Sequence, residues 1–171
     1  LFNKVFPFPE EEMTEVLGGT ENMLECRTAV KTIIELFKKF YDDSYGKLIP
    51  VRAEVVVGDE QLGLCGMIDQ LFWNEKSGKL EIWDWKTNKK IDRKNKWQQF
   101  KDPISHLDVC ELNTYSLQLS TYKYIVERNT NLELGDSYIV WVNEKNDKYE
   151  VFKCHDFKEE VTNILSKNLL K

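Results

Sequence analysis

Two strand-like segments joined by a short turn constrain the fold of this chain more than any other feature. Residues 62–73 and 79–86 are rich in apolar, β-branched and aromatic residues, and residues 74–78 between them include Asn, Ser and Gly, which favour turns. Because strands joined by so short a connection run antiparallel, the pattern predicts a β-hairpin.

Polar residues of this hairpin are expected to group on one of its faces. Side chains alternate between the two faces of a strand, so Asp84 and Lys86 share a face. If Trp73 pairs with Leu80, Asp69 lies directly opposite Asp84, at a Cβ separation of about 4.5–5.5 Å. A two-residue turn would instead set Asp69 opposite Lys86, and either register brings the three polar side chains together.

Two neighbouring carboxylates and a lysine indicate a metal site. Carboxylates at that separation repel each other unless a cation lies between them. Hard oxygen ligands suit Mg²⁺ or Mn²⁺, which keep several waters and recruit phosphate oxygens. A metal-bound water is acidic enough to attack phosphorus, and Lys86 can orient that water or stabilise developing charge. The alternative is a salt-bridged strand in which Lys86 pairs with Asp84.

An Asp-x-Lys triplet alone is weak evidence for such a site, because the chain contains two. Asp156-Phe157-Lys158 begins a predicted helix with no strand Asp before it, and we disregard it. Asp84-Trp85-Lys86 differs because a Gly-Met-Ile-Asp strand precedes it at hairpin distance.

Four short segments stand in order along the middle of the chain. They are Glu54, Gly66-Met67-Ile68-Asp69, Asp84-Trp85-Lys86-Thr87 and Gln118-Leu119-Ser120-Thr121-Tyr122. Over residues 50–125 they resemble the ordered motifs of the PD-(D/E)XK nuclease superfamily, most closely its RecB-like branch, which includes phage exonucleases. The resemblance implies that Asp69, Asp84 and the Trp85 backbone carbonyl bind the metal and that Lys86 assists the attacking water.

The resemblance also implies a role for the helix that carries Gln118 and Tyr122. These residues are four apart and therefore share one helix face. In the superfamily this face lies near the active site, where it contacts DNA or supports the lysine that corresponds to Lys86. The alternative is an ordinary amphipathic helix with a half-buried Tyr122.

A further metal ligand is expected on the N-terminal side. Members of the superfamily usually offer a His or Glu from a helix ahead of the first strand, but no His follows Gly19-Thr20. The candidates are Glu25 or Glu35 on the long helix, or Glu54 on the first strand. The chain starts without Met and reads as a fragment, so we also consider a ligand ahead of Leu1. One or two ions are expected accordingly.

The charge pattern favours local rather than overall contact with nucleic acid. The net charge of −5 argues against binding by bulk charge. Residues 86–101, however, carry seven Lys or Arg and one acid. Such a run is usually a solvated loop, but its place directly after the suspected site favours phosphate contacts. The residues expected to bind DNA are Gln118, Tyr122, Lys89, Lys90, Arg93, Lys94 and Lys96. Trp83, Trp85 and Trp97 can stack on bases, although core packing suits the first two better.

Hydrophobic periodicity predicts an α/β fold. After a short helix over residues 10–17, the expected order is helix, three strands, helix, two strands, helix. The expected ranges are 21–45, 51–57, 62–73, 79–86, 110–127, 137–143, 149–153 and 156–170. We therefore expect one nuclease-like domain over residues 1–171, with a mixed central sheet flanked by helices, as in the restriction-endonuclease-like core.

Cysteine usage and the lack of a signal pattern bear on the compartment. The four cysteines form no Cys-x-x-Cys pair, which argues against a zinc ribbon or an iron–sulfur cluster. We interpret them as reduced, small buried residues. With no signal pattern and no apolar run of about 18 residues, we expect a cytoplasmic protein, in a bacterial host cell or of an intracellular virus, that does not enter membranes.

These features favour a Mg²⁺- or Mn²⁺-dependent deoxyribonuclease, exonuclease-like and of phage or bacterial origin, acting on single-stranded DNA or duplex ends. One alternative is a catalytically inactive nucleic-acid-binding module with a nuclease fold. The unidentified helix ligand favours that alternative, and the intact Asp69, Asp84 and Lys86 oppose it. Another alternative is a viral endonuclease domain that acts on RNA, but the Gln-x-x-x-Tyr helix favours DNA. An oligomer is compatible with the sequence.

Overall fold

The structure is a computed structural model that describes residues 19–169 of the chain. Its elements, in chain order, are helix α1 (Thr20–Ser44), strands β1 (Leu48–Asp59), β2 (Leu64–Asn74) and β3 (Lys79–Lys86), helix α2 (Glu111–Asn129), strands β4 (Leu134–Trp141) and β5 (Glu150–Lys153), and helix α3 (Lys158–Leu169). The predicted order from the long helix onward is confirmed. The short helix predicted over residues 10–17 lies outside the described residues.

One compact unit consists of the described residues up to Asp43 together with Val142–Tyr149, the segment that connects β4 and β5. Phe40 of α1 is 1% exposed. Its ring packs edge-on against Tyr149, with ring centroids 5.5 Å apart. The Tyr149 hydroxyl donates a 2.8 Å hydrogen bond to Asp43. These contacts tie the C-terminal end of α1 to the connecting segment.

The other compact unit consists of Ser44–Trp141 together with the described residues from Glu150 onward. It contains a five-stranded sheet in the order β1-β2-β3-β4-β5. Strands β3 and β4 are parallel and all other neighbours are antiparallel. A parallel pair requires a crossover connection, which contains α2. The predicted α/β fold with a mixed sheet and flanking helices is confirmed, whereas one domain over residues 1–171 stays a prediction.

Helix α2 covers an apolar face of the sheet. It packs against β1, β2 and β4 and against α3. Leu119 of α2 is fully buried in one cluster with Ile68, Ile82 and Ile139, which come from the three central strands. Burying each such side chain stabilises the fold by about 1.5–3 kcal/mol. This packing holds α2 over the two strands that carry the acids of the predicted site.

The first strand is longer than predicted. We expected residues 51–57, whereas β1 runs from Leu48 to Asp59 and includes Pro50. Proline is tolerated because β1 is an edge strand, and the pairing with β2 shifts register between Pro50 and Arg52. Glu54 has a φ of +52°. This left-handed conformation costs about 1–3 kcal/mol for a residue with a side chain, and such strain clusters at functional sites.

The β2–β3 hairpin has the register in which Trp73 pairs with Leu80. The alternative register with a two-residue turn is wrong, because the turn spans residues 75–78. Asn74 organises this turn through its side-chain oxygen, which accepts the amide hydrogens of Lys76 at 2.9 Å and of Ser77 at 3.1 Å. Gly78 closes the turn at a φ of +64°, which glycine adopts without steric cost.

Candidate active site

Asp69 lies where the backbone pairing of β2 with β3 ends. The ladder stops at the Gln70–Trp83 pair, so the next residue of β2, Asp69, stands opposite Asp84 in the same register. Oδ2 of Asp69 accepts the amide hydrogen of Trp85 at 3.0 Å. The carboxylate thus replaces a backbone acceptor at the end of the hairpin and is held beside β3.

Side-chain alternation along β2 is interrupted at this point. Ile68 belongs to the apolar cluster and Leu71 packs against it, although residues three apart in a regular strand face opposite sides. The interruption falls at Asp69 and Gln70. In the β1–β2 register, Asp69 stands across from Glu54, the residue with the positive φ. Side chains therefore alternate regularly between the two sheet faces along β3 but not along the whole of β2.

Asp84 and Lys86 form a buried ion pair on β3. The Lys86 ammonium lies 2.5 Å from Asp84 Oδ2, and the side chains of Asp84 and Lys86 are 4% and 17% exposed. No other described residue donates a hydrogen bond to this oxygen. Burial raises the pKa of Asp84, the Lys86 charge opposes this rise, and the Asp69 charge adds to it. The structure therefore brings the three predicted residues together.

The oxygen atoms around this pair suit a divalent cation. Each carboxylate oxygen has two lone pairs, so Asp84 Oδ2 keeps acceptor capacity for a cation beside the Lys86 ammonium. The Trp85 amide faces Asp69. Because the N–H and C=O of one strand residue point to the same side, the Trp85 carbonyl also points to the side of β3 on which Asp69 lies. Two carboxylates and a carbonyl are donors that Mg²⁺ and Mn²⁺ prefer. Asp69, Asp84 and Trp85 thus fit such an ion as its protein ligands.

Helix α2 presents Tyr115 beside the ion pair and two further polar side chains on the same helix face. The Lys86 ammonium lies 4.6 Å from the centroid of the Tyr115 ring. The Gln118 amide donates a 2.9 Å hydrogen bond to the Tyr122 hydroxyl. Tyr115, Gln118 and Tyr122 are spaced i, i+3, i+7 and therefore share one helix face. Tyr115 was not among the predicted site residues, so its position over Lys86 was missed, although its spacing from Gln118 was a signal.

Gly66 makes room for Tyr122. A Cβ atom at position 66 would lie 2.3 Å from Cε1 and 2.8 Å from the hydroxyl oxygen of Tyr122. The ring therefore rests against bare backbone of β2. This contact explains why glycine begins the Gly66-Met67-Ile68-Asp69 segment, because any side chain there would displace Tyr122 and its partner Gln118.

The candidates for a further acidic ligand, Glu25, Glu35 and Glu54, are all exposed. The Glu35 side chain is 64% exposed and lies 3.9 Å from the Lys31 ammonium. Glu54 stands across from Asp69 by register. Among residues 19–169, no cluster of three or more His, Cys, Asp or Glu side chains is arranged to hold a metal ion. A further ligand from any of these three positions stays a prediction.

Only two of the four cysteines are buried. Cys110 and Cys154 are buried, Cys26 is half-buried and Cys65 is exposed, and all four are free thiols. The expectation of buried thiols was wrong for Cys65, which pairs with Gly58 near the start of β2, beyond the packed centre of the sheet. Burial raises the pKa of Cys154 to about 12. This thiol therefore stays protonated at neutral pH and is a poor metal ligand.

The basic segment, which comprises residues 87–101 directly after β3, presents its lysine and arginine side chains to solvent. Its expected DNA-binding residues, all exposed, are Lys89, Lys90, Arg93, Lys94 and Lys96. Lys90 forms an ion pair with Asp92 at 2.5 Å, and the Arg93 guanidinium lies 4.8 Å from the centroid of the Phe152 ring. The other three have no ion-pair partner within the described part of the chain. Their contact with DNA stays a prediction.

Comparison with known proteins identifies the family. The sequence model of the PD-(D/E)XK nuclease superfamily matches residues 7–169. The chain belongs to this superfamily, as predicted. A solved structure, that of a proposed exonuclease from Eubacterium rectale, is similar with a TM-score of 0.50 and 15% sequence identity, covering 99% of this chain and 58% of that chain. The chain thus spans little more than half the length of that protein, and the similarity shows a shared fold. No curated protein matches the chain.

The comparisons do not extend to the branch of the superfamily, so the RecB-like and phage assignment stays a prediction. The described residues contain no helix that is both long and apolar enough to span a bilayer.

Proposed function

We propose that this chain is a deoxyribonuclease of exonuclease type that hydrolyses phosphodiester bonds with Mg²⁺ or Mn²⁺. One observation carries the proposal. Asp69, Asp84 and Lys86 meet at the end of the hairpin, and among the described residues the buried Asp84 Oδ2 contacts no donor other than the Lys86 ammonium. A structural salt bridge would not need Asp69, whose charge raises the pKa of Asp84 and so works against the ion pair. Membership of the superfamily supports the same function.

Each residue of the site has a distinct role in hydrolysis. Asp69, Asp84 and the Trp85 carbonyl would hold one or two cations, which when bound supply Lewis-acid activation of phosphate and water. Lys86 lies beside Asp84 and over the Tyr115 ring. From there its ammonium donates hydrogen bonds to the attacking water or to a phosphate oxygen as negative charge develops. Hydrolysis joins the water oxygen to phosphorus and breaks one phosphorus–oxygen ester bond, and the departing oxygen takes up a proton.

The choice of DNA as substrate follows from the surroundings of the site. Gln118 and Tyr122 share the face of α2 that carries Tyr115, whose ring lies against Lys86, and Tyr122 rests on Gly66. The basic segment follows β3 directly. We place single-stranded DNA or a duplex end along these two features. The description of the Eubacterium rectale protein as a proposed exonuclease supports action at ends, and the order of the motifs supports the RecB-like branch. Glu54, strained and across from Asp69, is the further ligand that we favour.

The proposal is tested by the degradation of end-labelled DNA in Mg²⁺ and in Mn²⁺. Lys86→Ala should lower kcat by about 10²–10⁴-fold, the usual contribution of a positioned proton donor. The matched control is Lys158→Ala in the second Asp-x-Lys triplet, where the lysine contacts Glu127 at 3.3 Å, and it should retain wild-type activity. Excess chelator should abolish degradation.

Two results would contradict the proposal. The first is full activity of Lys86→Ala, and the second is activity that persists in excess chelator. Binding of DNA by the wild type without any metal-dependent cleavage would instead favour the inactive nucleic-acid-binding module.

A further inference from the structure

Trp97 is an aromatic residue that the proposed site does not use. It is 96% exposed, more than any other large hydrophobic residue in the described part of the chain. Single exposed apolar residues are ordinary on protein surfaces. Trp97, however, lies inside the basic segment and directly follows Lys96. A fully solvated indole contributes nothing to the core. An exposed aromatic ring with lysines beside it is a combination that proteins use to contact unpaired bases.

The backbone around Trp97 is held in place by hydrogen bonds. The side-chain oxygen of Asn95 accepts the Trp97 amide hydrogen at 3.0 Å, and the Asn95 side-chain amide donates to the Val109 carbonyl at 2.8 Å. The Gln98 carbonyl accepts the Val109 amide hydrogen at 2.8 Å. Trp97 is therefore presented from a fixed backbone, so less conformational entropy is lost when a ligand binds it.

A cavity of about 440 Å³ lies beside the indole, lined in part by Lys94, Lys96, Trp97, Asp92 and Glu111. Asp92 has its charge paired with a lysine outside the cavity lining, and Glu111 accepts a backbone hydrogen bond from the Asp92 amide at 3.1 Å. Lys94 and Lys96 have no ion-pair partner among the residues that the structure describes. Their charges are thus available to the phosphates of a nucleic acid strand.

This cavity is close to the proposed catalytic residues along α2. Glu111 is the first residue of that helix, and Tyr115, four residues later, lies against the Lys86 ammonium. Four helical residues rise about 6 Å and return to the same face. A strand with one phosphate at Lys86 therefore reaches the cavity within a short stretch of its length.

We propose that Trp97, together with Lys94 and Lys96, binds single-stranded nucleic acid by stacking on an unpaired base. Every base has a flat face that an indole can stack on, and the two lysines contact the flanking phosphates. Bases inside an intact duplex are stacked on their neighbours and do not present this face. The site therefore favours a single strand over a duplex. This inference rests on the proposed function, because it concerns the strand that the nuclease would cleave.

The inference is tested by binding in excess chelator, where metal-dependent cleavage is absent. Fluorescence anisotropy measures the affinity for a labelled oligothymidylate and for a labelled blunt duplex. Trp97→Ala should weaken binding of the oligothymidylate by about 5- to 150-fold, the effect of losing one stacked base, and should affect the duplex much less. Trp97→Phe, which keeps a ring, should retain most of the affinity.

The matched control is Trp73→Ala, which removes a tryptophan that is 37% exposed and lies outside the basic segment. It should bind the oligothymidylate like the wild type, and far-UV circular dichroism shows that each variant is folded. Unchanged affinity in Trp97→Ala overturns the inference, as does an equal loss for single strand and duplex, or no binding by the wild type. A wild type that binds in chelator but never cleaves DNA in Mn²⁺ refutes the proposed function alone, so the two failures are distinguishable.

Discussion

Replacing Gly66 by Ala perturbs the contact that joins β2 to helix α2. The added Cβ would lie 2.3 Å from Cε1 and 2.7 Å from Cζ of Tyr122, well inside the roughly 3.5–4.0 Å at which carbon atoms attract each other. The Tyr122 ring must shift, and its hydrogen bond from Gln118 is weakened or lost. Overpacking costs about 1–3 kcal/mol, and the lost hydrogen bond about 0.5–1.5 kcal/mol. Because Ala in a strand interior is more stable than Gly by about 0.5–1 kcal/mol, we expect the free energy of unfolding to fall by about 0.5–4 kcal/mol in total.

Removing the ring should reverse the sign of that effect. In a Tyr122→Leu background no ring atom remains near position 66, and Ala in a strand interior is more stable than Gly by about 0.5–1 kcal/mol. Gly66→Ala should then be neutral or stabilising, with a coupling energy above about 1.5 kcal/mol. The matched control is Gly58→Ala on the neighbouring strand, where the atom nearest to an added Cβ is 3.5 Å away. It should change stability by less than about 1 kcal/mol.

Urea unfolding, followed by circular dichroism and by tryptophan fluorescence, measures these four variants against the wild type. Wild-type stability of Gly66→Ala would refute the reasoning. An equal loss in both backgrounds would also refute it, because the cost would then arise from the β2 backbone and not from the tyrosine ring.

Three further outcomes are expected. Tyr115→Leu removes the ring beside Lys86 and should lower kcat by about 2- to 30-fold, whereas Tyr115→Phe should not, and equal kcat values for the two would contradict this contact. Burial raises the pKa of Glu81, which is 2% exposed, so the folded chain binds this proton more tightly than the unfolded chain. The contribution of protonated Glu81 to stability is therefore lost as pH rises through the raised pKa. Urea unfolding at several pH values measures this loss, and Glu81→Gln should remove it. The same pH dependence of stability in Glu81→Gln and in the wild type would contradict this prediction. A thiol reagent should label the exposed Cys65 rapidly and Cys154, with its pKa near 12, only on unfolding; labelling of both at one rate is the opposing result.

Nearest-neighbour geometry was enough to predict the hairpin and the centre of the candidate site. The turn residues and the alternation along β3 indicated which strands pair and that Asp84 and Lys86 share a face. The register then placed Asp69 opposite Asp84, and the observed register is one of the two considered. Spacing along α2 likewise placed Gln118 and Tyr122 together, and they are hydrogen-bonded to each other.

Contacts between elements distant in sequence were not accessible to such reasoning. The Tyr115 ring lies against Lys86 because of the way α2 crosses the sheet, and helix spacing shows only that Tyr115 faces inward. Pro50 normally marks the end of a strand, so β1 was predicted too short, because its place at the sheet edge depends on the whole topology. The exposure of Cys65 and the interrupted alternation at Asp69 depend on pairing between strands in the same way.

Calorimetric titration with Mn²⁺ tests most directly whether Asp69 and Asp84 together form a cation site. We expect the wild type to bind the ion and Asp69→Asn and Asp84→Asn each to weaken binding by at least about tenfold. Asp156→Asn, in the second Asp-x-Lys triplet, removes a carboxylate that pairs with Lys123 at 2.9 Å and should bind like the wild type. Absence of binding in the wild type, or one affinity shared by all three variants and the wild type, would contradict the assignment.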